Sequence, residues 1–294
     1  MKFRTDIQAL RAVAVGLVVL FHLDERILPG GFIGVDVFFV ISGFLITQSL
    51  LTEHSSTKSI GFLGFWARRA RRLLPAALTV IVFSVVALYA LYPPFARSAF
   101  IWDAIAATFY FENWRLAATA TDYFAATSPS VFQHYWSLAV EEQFYLVWPL
   151  FLYVVLSVSR VRAAVFAIGA VAFLSFGYSL ILSFTGDPSS YFSTFGRVWE
   201  FGLGALVAAR HFTGGKVLPS RYSVLGFGLI VGSGLFLSSE VTFPGFWALI
   251  PTLGAALVTA SRPRGFAAKV TQNRIFQWLG DQSYGIYLWH WPIV

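Results

Sequence analysis

The chain has 294 residues, 57% of them hydrophobic and only 12% charged, with a mean hydropathy of +0.69 and a net charge of +7. A soluble domain carries roughly twice that share of charge, so a water-facing surface cannot be covered. There is no cysteine, which excludes disulfide frameworks, thiolate nucleophiles and Cys-based metal sites. The basic residues are clustered rather than spread, which argues against nucleic acid as the source of the positive charge.

In chain order, "MKFRTDIQALRA" shows no cleavable signal pattern, so Ala12–Leu23 reads as a retained first span. Blocks of spanning length follow at Phe32–Leu51, Leu73–Tyr92, Ser137–Leu156 and Ala163–Phe184. The expected fold class is all-α: a polytopic α-helical integral membrane protein of about nine spans, not a barrel of short alternating segments.

Most of the 21 Lys and Arg fall in five groups. These are Lys2, Arg4 and Arg11; Lys58, Arg68, Arg69, Arg71 and Arg72; Arg160 and Arg162; Arg210, Lys216 and Arg221; and Arg262, Arg264, Lys269 and Arg274. The positive-inside rule predicts all five on the cytoplasmic side of the cell membrane, with a cytoplasmic N-terminus. Asp24, Glu25, Asp122, Asp187 and Glu240 then lie outside. By parity, "FIWDAIAATFYFENW", with Asp103, Glu112 and Asn113, does not cross. It reads as a re-entrant or interfacial helix beside an outward polar cavity. The final text, "SYGIYLWHWPIV", predicts an apolar helix opening at Ser283, too short to span by Val294. Residues 1–294 are therefore expected to form a single membrane domain whose last span continues beyond the sequence.

Six constellations stand out along the chain. Arg11 and His22 are eleven residues apart, on nearly one helix face with about 16 Å of rise between them. An imidazole in an otherwise uncharged run is either a functional group or a cap at the outer helix end. Arg11 is a ligand or a snorkelling anchor. In "FWARRARRLLPA", four arginines suit phosphate through their planar forks, or else anchor the topology or bind anionic lipid. In "GGFIGVDVFFVISGFLIT", Gly30, Gly31 and Gly34 allow a tight outer turn, and Ser42 and Gly43 suit helix packing. Asp36 either orients the imidazole or caps its helix.

In "YWSLAVEEQFYLVWP", Ser137 and Glu141 share a face and Glu142 lies on the next. They orient an acceptor hydroxyl, buffer a proton or cap the helix. Trp136, Tyr145 and Trp148 fit an interfacial belt, though aromatic rings also stack on sugars. Arg197 and Glu200, three apart, read as a structural ion pair. Tyr284, Tyr287, His290 and Trp291 close the sequence, with His290 placed at the interface.

Taken together, "LRAVAVGLVVLFH", "GGFIGVDVFFVISGFLIT", "RRARRLLPA", "YWSLAVEEQFYLVWP", "GRVWEFGLGAL" and "LGDQSYGIYLWHWP" resemble acyltransferase family 3. These are bacterial membrane acyltransferases that acetylate surface polysaccharides. The resemblance implies an O-acyltransferase moving an acyl group from cytoplasmic acyl-CoA, the acetyl form above all, to a hydroxyl of an extracytoplasmic or lipid-linked glycan. Acyl-CoA would be a substrate, with no bound cofactor or metal. His22 matches the family's essential histidine, Arg11 its leading basic residue, and Arg69, Arg71 and Arg72 lie in its arginine motif. The candidate catalytic set is His22, Asp36, Glu141 and Glu142, and the candidate substrate-binding set Arg11, Arg69, Arg71, Arg72 and Ser137. The phosphates would lie at the arginines and the thioester near His22, at the far end of one tunnel. Some members of the family also carry an extracytoplasmic SGNH-type domain. The rival reading is a transporter or flippase for an anionic lipid-linked substrate, which an inverted repeat would favour. No such repeat is visible.

Overall fold

The computed structural model describes residues 4–91, 93–124, 129–158 and 161–294. Lys2, Tyr92, Ser159 and Arg160 lie outside the described residues, and the side chains of 94–99 are likewise not described. The described residues form twelve α-helices with two short 3-10 turns and no strand. They are α1 Thr5–Leu23, α2 Gly34–Thr57, α3 Phe62–Leu91, α4 Pro94–Thr108, α5 Glu112–Ala118 and α6 Tyr135–Val158. Then come α7 Val161–Phe184, α8 Thr194–Phe212, α9 Ser220–Phe236, α10 Leu249–Ala260, α11 Phe266–Thr271 and α12 Arg274–Ile293.

The chain is a polytopic helical membrane protein. Five stretches are long and apolar enough to cross a bilayer: Thr5–Leu23, Gly31–Thr57, Phe62–Leu91, Tyr135–Val158 and Val161–Phe184. Helices α8, α9, α10 and α12 would complete the expected nine, but they are shorter or more polar, and length and composition alone do not assign them. The outer surfaces of α3 and α7 are apolar: Val82, Phe83, Val86, Phe166, Phe173 and Leu174 are all exposed. A water-facing helix would put charge there. Lipid accounts for such a surface, because the interior of the bundle is no more apolar than its rim.

Helix α1 is the central post. It packs on α2 on one side and runs beside α12 on the other. At its start, Arg4 donates to the carbonyls of Thr259 and Ser261 at the end of α10, and Gln277 of α12 donates to the Thr5 carbonyl. At its far end His22 meets His290 of α12. Helix α2 lies against α8 at the closest approach in the bundle. A Cβ on Gly43 would stand 1.9 Å from the Phe201 carbonyl oxygen, and one on Gly204 would stand 1.9 Å from the Val40 carbonyl oxygen. The two glycines let the backbones touch, in line with the packing role expected of Gly43.

Alternation of the helices brings Arg4, Arg11, Arg68–Arg72, Arg162, Arg210, Arg221 and Arg274 to one end of the bundle, the end holding the start of α1. The segment expected to be re-entrant is broken at its centre. Helix α4 stops at Thr108, Tyr110 takes a left-handed φ of 56°, and α5 begins at Glu112. Gln143 holds this break by donating to the Tyr110 carbonyl at 2.8 Å and to Asn113 Oδ1 at 2.9 Å. Gln143 lies eight residues inside α6, so the tip of the hairpin reaches about 12 Å below the start of that helix.

Two sequence expectations are corrected here. The last helix begins at Arg274 rather than Ser283, because Asn273 caps it by accepting from the Ile275 amide at 2.9 Å. Arg274, Gln277, Asp281 and Gln282 break up the apolar residues of its first half, which hid it from a scan for an unbroken apolar run. Trp136, Tyr145 and Trp148 do not form a belt: they are 1%, 2% and 3% exposed. Trp148 donates to Thr47 Oγ1 at 2.8 Å, so its polar edge is satisfied inside the bundle.

Candidate active site

Two of the cavities among the described residues hold the candidate chemistry. The first, of about 110 Å³, is walled by α1, α2, α3, α6 and α12. Arg11, Arg69 and Arg72 bring three guanidinium groups to it, with Ser42, Glu141 and Tyr145 facing them and Phe38, Phe39 and Leu138 among its apolar wall. Glu141 Oε1 accepts from both Ser42 Oγ and Tyr145 Oη. The Arg69 guanidinium lies 4.2 Å above the Tyr145 ring. Arg11 is held by Gln8, which accepts at 3.2 Å and in turn donates to Asp281. One carboxylate thus faces three cations, an arrangement suited to a multiply charged anion.

Arg71 does not join this cavity. It is exposed and donates back to the Ala67 carbonyl at 3.2 Å, while Arg68 turns toward Glu53 at 3.8 Å. Helical geometry explains the split, since Arg69 and Arg72 are three apart and share a face, and Arg68 and Arg71 form the neighbouring one. Glu142 also lies outside the cavity lining, on the Arg69 and Tyr110 side of α6.

The second cavity, of about 450 Å³, opens at the other end and is lined by His22, Tyr123, Phe124, Gln133 and Trp291, with Asp24, Glu25 and Arg26 at its edge. The bonds of His22 fix its tautomer. Its Nδ1 lies 2.9 Å from the Val18 carbonyl oxygen, which can only accept, so Nδ1 carries the hydrogen. Nε2 then presents a lone pair toward the cavity, and the Tyr123 hydroxyl donates to it at 3.1 Å. His290 approaches from α12, its Nε2 3.3 Å from His22 Nδ1. The His290 Nδ1–H donates to the Tyr287 carbonyl.

The expected single tunnel is therefore divided. Between the cavities stand Ser137 and Tyr287: the Tyr287 hydroxyl donates to the His134 carbonyl at 3.0 Å, and the Ser137 hydroxyl, 3.3 Å from that carbonyl, donates to the Tyr287 oxygen at 2.6 Å. Both side chains line the first cavity, and the backbone of Tyr287 holds the histidine that touches His22. His290, which lines neither cavity, stands between Tyr287 and His22.

Asp36 does not reach His22. It is 1% exposed and accepts from Arg197 Nη1 at 2.8 Å, the same nitrogen that donates to Glu200 at 2.8 Å. The pair expected inside α8 is thus a triad that pins α2 to α8. Asp36 was drawn to the buried cation, because an unpaired carboxylate at that depth is costly. Arg197 is boxed by the rings of Tyr191, Trp136 and Phe243, at 4.9, 5.5 and 5.4 Å. Tyr191 stacks on Tyr123 at 4.0 Å, so the triad supports the residue that covers His22 Nε2.

Three further residues stand at the candidate site. Tyr123 sits in an irregular loop with no local signal. His290 was placed at the interface, yet it is 6% exposed and pairs with His22. His134 directly precedes a motif that was read from Tyr135 onward. It is 3% exposed, neither of its ring nitrogens makes a hydrogen bond of ordinary geometry, and its ring centroid is 5.8 Å from that of His290.

Comparison with known proteins places this geometry in a family. The acyltransferase domain of acyltransferase family 3 matches residues 4–294. The chain is 36% identical to the peptidoglycan O-acetyltransferase OatA of Listeria monocytogenes over 312 aligned residues, covering 100% of this chain and 50% of that protein. It is 33% identical to the O-acetyltransferase OatA of Staphylococcus aureus, covering 100% of this chain and 51% of that one. The chain thus spans about half the length of these curated relatives. No solved structure matches it. The chain belongs to acyltransferase family 3, matching its acyltransferase domain over almost its whole length.

Proposed function

We propose that this chain is the membrane part of an O-acetyltransferase that takes its acyl group from acyl-CoA and delivers it to a hydroxyl of a cell-wall glycan. The observation that carries the reading is the pairing of the two cavities. Three guanidiniums meet in one and a basic imidazole nitrogen faces the other, with Tyr287 and His290 linking the two through their bonds. The glycan acceptor follows from the peptidoglycan O-acetyltransferase named among the relatives. Because the basic residues gather at the Arg11 end, that end faces the cytoplasm and the His22 cavity faces outward.

In this reading the CoA phosphates bind Arg11, Arg69 and Arg72, and the pantetheine arm reaches toward the Ser137–Tyr287 partition. The acceptor hydroxyl displaces Tyr123 and gives its proton to His22 Nε2. The acceptor oxygen attacks the thioester carbonyl and the C–S bond breaks. The CoA thiolate leaves and takes the proton from the imidazolium, so the products are an ester and CoA thiol. Glu141 acts as counter-charge and organiser of Ser42 and Tyr145 in the first cavity, not as the base.

The test follows release of CoA thiol by full-length protein supplied with acetyl-CoA and a peptidoglycan oligosaccharide. The absence of cysteine from this chain keeps the thiol signal free of background from these residues. His22→Gln should abolish release while leaving CoA binding intact, a loss of at least ~10²-fold if general-base catalysis is what is removed. Transport of the oligosaccharide without thiol release would favour the transporter reading instead.

A further inference from the structure

The first imidazole has a partner that acts on it through the nitrogen facing away from substrate. We propose that His290 is a positioning residue for His22, rotating and holding its ring so that Nε2 is the lone-pair atom in the outer cavity. This inference rests on the reading of His22 as the base.

The geometry gives His290 one available role. Its Nδ1–H is committed to the Tyr287 carbonyl, an acceptor one turn back in α12, so Nε2 has a lone pair and no hydrogen. That lone pair points at His22 Nδ1 from 3.3 Å. The hydrogen on His22 Nδ1 is shared between the Val18 carbonyl, at 2.9 Å, and His290. The carbonyl belongs to the same helix as His22 and can hold the ring in only one dimension. His290 comes from α12, so the two acceptors together fix both the tautomer and the ring plane.

The order of bonds runs Tyr287 carbonyl, His290, His22, Tyr123, from the partition to the outer cavity. Once Nε2 takes a proton, Nδ1–H becomes the donor of a cation, and such bonds are roughly twice as strong as neutral ones. A buried neutral imidazole thus does for His22 what a carboxylate does for the histidine of a hydrolase triad, without bringing a second full charge into the bundle. The carboxylate expected in that role, Asp36, is bound to Arg197. Ring contacts restrict His290 further: its centroid is 5.2 Å from Tyr287 and 6.2 Å from Trp291.

Two near-isosteric substitutions separate this role from a merely structural one. In His290→Gln the amide oxygen can stand where Nε2 stands and still accept from His22. In His290→Asn the amide reaches only the Nδ1 position, so the bond to Tyr287 survives and the bond to His22 is lost. Acetyl-CoA turnover by full-length protein should stay within about threefold of wild type for His290→Gln and fall about 10²-fold for His290→Asn, the size expected when a reacting group is misplaced by about an ångström. The loss should appear in kcat, with KM for acetyl-CoA and the thermal midpoint unchanged for both variants. Equal activity in the two variants, high or low, would overturn the inference. A loss that tracks a lowered melting temperature would overturn it too, making His290 a packing residue. His22→Gln serves as the separating control: if it is active, the base reading fails and this inference fails with it, whereas an inactive His22→Gln beside a fully active His290→Asn overturns only the inference.

Discussion

Arg197 is the most consequential buried charge in the protein, and replacing it with methionine tests the account of the α2–α8 contact. One guanidinium nitrogen serves both Asp36 and Glu200 at 2.8 Å, and Nε serves the Tyr191 carbonyl at 3.2 Å. The cation and both carboxylates are at most 1% exposed. Methionine keeps much of the volume but strands two carboxylates in the interior. Breaking a buried pair this way costs about 3–5 kcal/mol, chiefly as the uncompensated charge that remains. At roughly 2 °C or more per kcal/mol for a chain of this size, the unfolding midpoint in detergent should fall by about 6 °C or more. Adding Asp36→Asn and Glu200→Gln to Arg197→Met removes the stranded charge and should recover most of that loss. The assay is thermal unfolding followed by size-exclusion of the surviving protein. A single variant that melts with wild type, or a triple variant no better than the single, would refute the argument that charge compensation holds these helices.

Gly204→Val should be poorly folded, because its Cβ would stand 1.9 Å from the Val40 carbonyl oxygen, and the yield of monodisperse protein measures this. Arg72→Ala should raise KM for acetyl-CoA about tenfold or more, with loss of a charge-assisted contact worth ~1.5–3 kcal/mol, whereas Arg71→Ala, whose side chain turns back on its own helix, should leave KM unchanged. A single cysteine at Ser189 should react with a membrane-impermeant thiol reagent in intact cells, and cysteines at Ser220 and Gln272 should not. The reverse pattern would invert the proposed orientation.

What the sequence could carry about the site was local. Arg11 and His22 belong to one helix, so their common face follows from the helical period alone. The same period assigns Arg69 and Arg72 to one cavity once helix α3 is known, although the sequence reading pooled them with Arg71. Asp36 and Arg197 were each visible but not as partners, because they are 161 residues apart and only the α2–α8 packing joins them. Gly43 signalled a close approach, but its counterpart Gly204 and the carbonyl contacts that make the approach so tight are tertiary facts. Buried and interfacial tryptophans have the same composition, which is why Trp136 and Trp148 were assigned to a belt. The pairing of His290 with His22 was beyond reach for the same reason as the Arg197 triad: α1 and α12 are neighbours in space and opposite in sequence.

The division of the bundle into two cavities sets a condition on the proposed reaction. An acyl group entering beside Arg11 meets Ser137 and Tyr287 before it meets His22. These two hydroxyl hydrogens serve each other and the His134 carbonyl in two full bonds, both between neutral groups. Each full bond contributes a net ~0.5–1.5 kcal/mol, so opening the partition gives up about 1–3 kcal/mol, against about 3–5 kcal/mol for breaking the Arg197 triad. The partition is therefore the yielding part of the bundle and the α2–α8 contact the fixed part. A substituent on the pantetheine arm can take over the bonds that Ser137 and Tyr287 release, since a thioester and an amide both offer carbonyl oxygens to these hydroxyls. Tyr287 holds His290 through its main-chain carbonyl, not through the hydroxyl that must let go. The side chain can thus swing aside while the backbone keeps the His22–His290 pair in place, and the partition can open without dismantling the base behind it.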